Sequence, residues 1–307
     1  MANALYFGRK YRLTIGDKPF EVEDGKPAMD IKFDVTYARG QTAREGTLSI
    51  LGLGHKTIHR FVSLAAMPRG EALSQLVPVK LDAGYFSPAG MVEIFNGFAW
   101  YASVTSPPQM WLNLKVSEYN PLGGREAIVP PATNSTMRQI LQTICDVFSD
   151  TEGVEFDWED NTEDQVISSD NEPKSIDFGD KATLSSVIAK LTSSLSDKVQ
   201  FILRSYKSDK TRIIECLDKA ERKVQHDIVK VNKDSGLLSV TGVDAVSGCI
   251  TTFLDGRISD QLCHLDLESE LNQQANGKYY IVKKQHVGHF MGQEWYTRYF
   301  CSAREDD

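Results

Sequence analysis

The sequence predicts an α+β protein that is mainly β, with β-rich regions at both ends and a small α/β region between them. Three observations carry this reading. Residues 29–37, MDIKFDVTY, alternate apolar and polar side chains without a fault, the period of a strand with one buried and one wet face. Two middle segments, STMRQILQTICDVFSD and ATLSSVIAKLTSSLSD, switch to a helical period. After Lys219 six short apolar runs return at the spacing of a barrel or sandwich. A chain of 307 residues exceeds the usual size of one core, and 41% apolar with 25% charged residues is too apolar for disorder.

In chain order, residues 29–37 are followed by VPVKLDA (77–83), by MVEIFNGFAWYASV (91–104), read as a longer strand bent or bulged at Gly97, and by QMWLNLKVS (109–117). One helix interrupts them. In HKTIHRFVSLAA, Ile58, Phe61, Val62 and Ala65 share a face, and Pro68 stops the helix. In the middle region Met137, Ile140, Leu141, Ile144 and Phe148 form one apolar stripe, and Leu184, Val187, Ile188, Leu191 and Leu195 form another. The stripes match at an offset of 47, which also pairs Thr136 with Thr183, Ser149 with Ser196 and Asp150 with Asp197. A strand follows each helix, GVEFDW and then KVQFILRS, so the middle reads as a duplicated helix–strand unit, with TRIIECL as a further strand. The closing strands are DIVKVN, LLSVTGV, CITTFL, HLDLE, YYIVKKQHV and EWYTRYFCS. The predicted divisions are 1–117, 118–218 and 219–307.

The net charge of -8 is concentrated in the middle: residues 1–117 carry 13 basic and 10 acidic side chains, 118–218 carry 10 and 19, and 219–307 carry 11 and 13. Residues 150–164 hold eight carboxylates and no base, which disfavours nucleic-acid binding there. A calcium loop in DWEDNTED lacks the glycine of the sharp turn, so a solvated acidic loop is expected. Cys145, Cys216, Cys249, Cys263 and Cys301 show no CxxC spacing, and an odd count fits buried thiols in a reducing compartment. Neither a signal peptide nor a run of membrane-spanning length is found, and a soluble, unexported chain without membrane contact is expected.

The chemistry-bearing motifs are incomplete. His286 and His289 are three apart in a strand context and point to opposite faces, and no third ligand accompanies them. His55 and His59 have the spacing of a metal helix, but Lys56 stands where the glutamate base belongs. LSILGLGHKTIHRF has a GxG turn between strand and helix, yet Thr57 replaces the third glycine and Gly-His-Lys-Thr breaks the phosphate-loop order. No nucleophile elbow or catalytic cysteine signature occurs. No catalytic residue, metal site or cofactor is assigned, and no enzymatic activity is expected. A cell-wall glycan hydrolase remains an alternative because paired carboxylates need no local motif. So does a carbohydrate-binding β module using Trp100, Tyr101 and Trp111.

The closing stretch carries a more specific pattern. Gly277, Tyr279 and Ile281, with Val282 beside them, lead into a glycine-flanked turn, and Trp295, Thr297 and Cys301 follow. In the N-terminal half, Ala83, Gly84 and Tyr85 precede a short turn and then Ile94, Phe95 and Gly97, and WLNLKVSEYNPLGGREAIVPP follows. These stretches resemble the baseplate hub proteins of contractile phage tails. The resemblance implies two tail-tube-like β-barrel domains flanking the small α/β domain with two helices. It implies a structural role, a homotrimeric ring whose six barrels imitate the sixfold tube and whose threefold side seats a central spike. The partners implied are the tail tube protein, the tail spike protein and other baseplate proteins. Genomic DNA would pass through the ring without sequence-specific binding. The location would be the virion tail baseplate, after assembly in the host cytoplasm. A tail-tube or distal tail protein is the alternative within the virion. The chain shows no appended lysozyme or peptidase domain, so wall digestion would fall to a partner.

Strands at 278–287 and 293–302 should pair as a hairpin, with Gly288 and Gly292 supplying turn freedom. That leaves His289, Phe290 and Met291 at the tip, expected to contact a partner because apolar anchors contribute strongly at interfaces. Packing of the same residues into the chain's own core is the competing arrangement.

Overall fold

A computed structural model describes residues 8–22, 29–38, 44–65, 77–86, 90–118, 126–152, 155–160, 162, 165–169, 172–194, 199–208, 211–218, 229–242, 247–254 and 264–304. Pro68, Glu163, Asp164, Leu195, Ser196, Asp197 and Cys263 lie outside the described residues. The chain divides into two compact units, the first formed by residues 1–39, 44–117 and 225–307 and the second by 40–43 and 118–224.

The first unit opens with β1 (Arg9–Ile15), β2 (Lys18–Glu21), β3 (Asp30–Ala38), β4 (Glu45–Leu51), α1 (His55–Ala65), β5 (Val77–Tyr85), β6 (Met91–Val104) and β7 (Trp111–Ser117). The second holds β8 (Ala132–Ser135), α2 (Met137–Glu152), β9 (Glu155–Asp160), α3 (Val166–Ser169), β10 (Lys174–Ile176), α4 (Leu184–Ser194), β11 (Val199–Ser208) and β12 (Thr211–Asp218). The chain then returns to the first unit with β13 (Val229–Asn232), β14 (Leu237–Thr241), β15 (Ser247–Phe253), β16 (His264–Glu268), β17 (Gly277–His289) and β18 (Trp295–Arg304). The architecture is mainly β.

In the second unit both helical stripes are buried: Met137, Ile140, Leu141, Ile144 and Phe148 on α2, and Leu184, Val187, Ile188 and Leu191 on α4. They form one core with Phe156 and Phe201. The paired threonines start the helices in the same way. The Gln139 backbone N–H donates to Thr136 Oγ1 at 3.4 Å, and that of Ser186 to Thr183 Oγ1 at 3.3 Å. In the first copy Gln139 Oε1 also accepts the Thr136 N–H at 2.9 Å, completing a capping box. The strand following each helix flanks β12, with β9 parallel to it and β11 antiparallel. The acidic stretch is therefore built on regular structure rather than a loop, because the alternation that buries Phe156 makes residues 155–160 a strand. Asp150, Glu155 and Asp157 are exposed. Asp160 instead accepts the N–H groups of Thr162 and Ile167, turning the chain into α3.

In the first unit thirteen strands form one sheet, with the path β14-β15-β18-β17-β3-β4-β7-β6-β5-β1-β2 and with β16 set between β17 and β13. Among the described residues the two ends of the path do not pair, so the ladder is not closed into a barrel. The order contains a repeat. The sequence β3-β4-β7-β6-β5 has the same connectivity as β14-β15-β18-β17-β16, each with its last strand beside an earlier one, β1 or β13. Both long strands carry a bulge at the matching place: Trp100 is the extra residue of β6 against β7, and Val282 that of β17 against β18. The bend expected at Gly97 falls instead on either side of it, at Ile94 against β5 and at Trp100 against β7. At the first of these, Ile94 and Phe95 both turn inward, as a bulge permits.

The junction of the two modules is a seven-pair antiparallel ladder between β17 and β3, from Lys283 opposite Ala38 to His289 opposite Lys32. The inward face of β3, Ile31, Phe33, Val35 and Tyr37, is buried as the alternation demands.

Candidate functional site

The hairpin expected at 278–302 is present, but its ladder is longer than the sequence suggested. Gly288 faces Trp295 within the strands, and the His289 N–H donates to the Glu294 carbonyl at 2.6 Å. The glycines therefore serve a purpose other than turn freedom. A Cβ on Gly288 would stand 2.2 Å from two atoms of the Phe33 ring, and one on Gly292 would stand 2.1 Å from the His289 ring. Phe33 and Trp295, from the strands on either side, meet edge to face above Gly288 with centroids 5.3 Å apart. The missing side chain makes room for that pair.

Tip and core meet through groups far apart in sequence. Arg9 donates to the carbonyl oxygens of His289 at 2.8 Å, Phe290 at 3.2 Å, Gly292 at 2.5 Å and Gln293 at 3.1 Å. Its guanidinium also lies 5.5 Å from the Trp295 ring centroid. Asp30, mostly buried, accepts the Met291 N–H at 3.0 Å and stands 2.9 Å from His289 Nε2. Trp295 Nε1 donates to the Gly84 carbonyl at 3.2 Å, and the Leu254 N–H donates to the Tyr85 hydroxyl at 3.1 Å. Side chains thus join the β1 and β5 side of the sheet to the β15, β17 and β18 side, although the strands themselves do not pair there. The environment is dry enough to raise the Tyr11 phenol to about 12, by burial first and then by the nearby Asp30 charge, and its hydroxyl donates to the Met29 carbonyl at 2.7 Å.

The three residues assigned to a partner contact have different surroundings. The His289 ring is held by Asp30 and sits 6.3 Å from Trp111. Phe290 packs edge-on against Tyr11 at 5.0 Å and joins the core of the unit. Met291 is 64% exposed. Phe290→Ser is therefore expected to lower the melting temperature of the subunit, while Met291→Ser leaves it unchanged and weakens assembly alone. Thermal melting followed by circular dichroism, with sedimentation run beside it, separates the two; an assembly-neutral Met291→Ser removes the tip from the interface.

The remaining candidates do not converge. His286 is buried with Nδ1 2.8 Å from Thr297 Oγ1, so the two histidines of the pair have separate partners. His55 and His59 lie exposed on the first turns of α1. Gly54 accepts the Thr57 and Ile58 N–H groups, a plain helix start. Among the described residues no three His, Cys, Asp or Glu side chains gather in a way that would hold a metal. Cys145, Cys216 and Cys301 are buried free thiols, and burial pushes Cys145 up to about 12. Lysines cover the aromatic rings of the carbohydrate-binding alternative: Lys32 Nζ lies 4.3 Å from the Trp111 ring centroid, and Lys115 Nζ lies 5.5 Å from those of both Trp100 and Tyr101. What sequence reasoning missed is Arg9, Tyr11 and Asp30, which reach the tip across more than 250 residues of chain. The motif residues do have visible roles. Gly84, where a Cβ would meet the Gly90 carbonyl at 2.0 Å, Tyr85 and Trp295 join the two sides of the sheet, and the Tyr279 hydroxyl donates to the Ala275 carbonyl at 2.6 Å.

A family model described as baseplate hub gp41 matches residues 12–288. No curated protein matches the chain by sequence. Among solved structures, a tail protein from Neisseria meningitidis MC58 superposes with a TM-score of 0.60 at 9% identity, covering 96% of this chain and 97% of that one. The 43 kDa tail protein of prophage MuSo2 from Shewanella oneidensis gives 0.57 at 9% identity, covering 97% and 98%. The E. coli c3393 protein, a type VI secretion component described as similar to the T4 tail proteins gp27 and gp5, gives 0.57 at 9% identity, covering 96% and 77%. At this identity the structural likeness is one of fold.

Proposed function

Because the chain belongs to the baseplate hub gp41 family, whose members are structural parts of the phage tail, we propose that it is a homotrimeric hub joining the tail tube to the central spike and the surrounding baseplate. One observation carries the reading: each chain holds two β modules of the same strand order, fused through the β17–β3 ladder. Two modules per chain let three chains present six, the number that fits a sixfold tube, while the threefold repeat of whole chains fits a spike. Residues 1–117 and 219–307 are then two tail-tube-like β modules, not closed barrels among the described residues, and 118–218 the acidic α/β domain between them. Met291 is a contact for a neighbouring subunit or tail protein. The subunit is assembled in the host cytoplasm, performs no catalysis, and lets genomic DNA pass without reading its sequence.

Native mass spectrometry of the protein, alone and with the tube and spike proteins of the same tail, tests the copy number. Three copies are expected, in the second sample if not in the first, since partners stabilise an assembly by mass action. Six copies in both would contradict the hub and favour a tube protein.

A further inference from the structure

The two hairpins that the repeat makes equivalent, β6–β7 and β17–β18, project from one end of the sheet. From β17 through β3, β4 and β7 to β6 every neighbouring pair is antiparallel, so β6 and β17 run the same way and their turns, residues 105–110 and 290–294, emerge together. Side chains join them. The Trp111 ring, just after the first turn, lies with its centroid 6.3 Å from that of His289, just before the second, and Lys32 Nζ stands over the Trp111 face. At the opposite end the modules are unlike, since there β7 leads on into the second unit and β18 does not.

Both turns are set before any partner arrives. Thr105 Oγ1 accepts the Trp111 N–H at 2.9 Å and donates to the Gln109 carbonyl at 2.7 Å, and the Thr105 N–H donates to the Trp111 carbonyl at 3.1 Å. Arg9 and Asp30 hold the second turn. A surface ordered in this way gives up little conformational freedom on binding. It is also poor in charge. Residues 105–109, Thr-Ser-Pro-Pro-Gln, are all exposed, as are Met291, Gln293 and Glu294. Within the two turns and the flanking Trp111 and His289, Glu294 alone is of Asp, Glu, Lys or Arg type, whereas 25% of the whole chain is. Depletion of charge where Met and Trp are present marks the centre of an interface.

We infer that this end of the sheet is the face on which the tail tube docks, a partner of sixfold symmetry that presents a largely uncharged rim to turns 105–110 and 290–294. Three chains bring three turns of each kind to one face, six near-equivalent positions, while the other end repeats only with whole chains and suits a threefold partner. The inference rests on the hub reading for the copy number and the partner, and not for which turns share an end. The assembly that Met291→Ser weakens is then docking to the tube.

Sedimentation of the protein with the tube and spike proteins of the same tail tests it, using Gln109→Glu on one turn, Met291→Ser on the other, the double variant, and Leu271→Ser as a control. Leu271 is exposed in the β16–β17 turn, at the far end of β17. All three side chains are exposed, so the melting temperature should hold. Each turn variant should keep three copies on the spike and bind the tube roughly tenfold less tightly, and the double variant about a hundredfold less. Leu271→Ser should bind the tube as the wild type does. A folded double variant with wild-type tube binding, or tube binding lost in Leu271→Ser instead, would overturn the inference and leave the hub standing. Wild-type protein that gathers in three copies with neither partner would contradict the hub, and the inference with it.

Discussion

Replacing Gly288 by alanine is expected to destabilise the first unit by about 3 kcal/mol, the upper end of the usual cost of overpacking a core. The sign is opposite to the local rule. In a strand interior alanine is ordinarily preferred to glycine by roughly 0.5–1 kcal/mol, so a neutral or stabilising result would show that close approach does not govern this position. Here the added methyl meets the ring of Phe33 at 2.2 Å, and that ring is 3% exposed and pinned against Trp295. Both rings are buried, Trp295 at 4% exposure. The double variant Gly288→Ala/Phe33→Leu separates the causes: if the clash is the cause, the two changes cost less together than their sum, by about 1 kcal/mol or more in a denaturation cycle.

Arg9→Ala should be the second large effect. Four carbonyl oxygens of one tight turn lose a shared charged donor, and hydrogen bonds to charged groups contribute about 1.5–3 kcal/mol each when well buried. The guanidinium is only partly buried, so a total near 3 kcal/mol is expected. In a unit of this size that corresponds to a melting temperature lowered by roughly 6–12 °C. Arg9→Lys should recover only part of this, because an ammonium can serve the acceptors grouped around Nη1 but not also the Gln293 carbonyl met by Nη2, and it loses the planar group beside Trp295. A melting temperature unchanged in Arg9→Ala would show that the turn is held by Asp30 and Phe290 without it.

How much of this was legible in the sequence follows from the range of each interaction. Alternation over residues 29–37 marked β3, and the stripes on α2 and α4 marked the second unit's core, because both patterns are set by neighbours a few residues apart. The 47-residue offset identified the equivalence of Thr136 and Thr183, which start the helices in the same way. The duplication of the β module was indicated by the family resemblance alone and not by any repeat of residues. Its strands share order and bulge position, yet Ala-Trp-Tyr at 99–101 and Ile-Val-Lys at 281–283 share no residue, since backbone pairing tolerates almost any side chain that suits the face. Gly288 was noticed for the wrong reason: glycine reports either a turn or a crowded backbone, and only the position of Phe33 decides between them. Phe290 likewise looked like a tip residue because the ring it packs on, Tyr11, lies at the other end of the chain.

High-resolution imaging of the assembled particle tests the central claim most directly, by counting chains and β modules around the ring. The account predicts three chains presenting six β modules. A ring of six chains would contradict it.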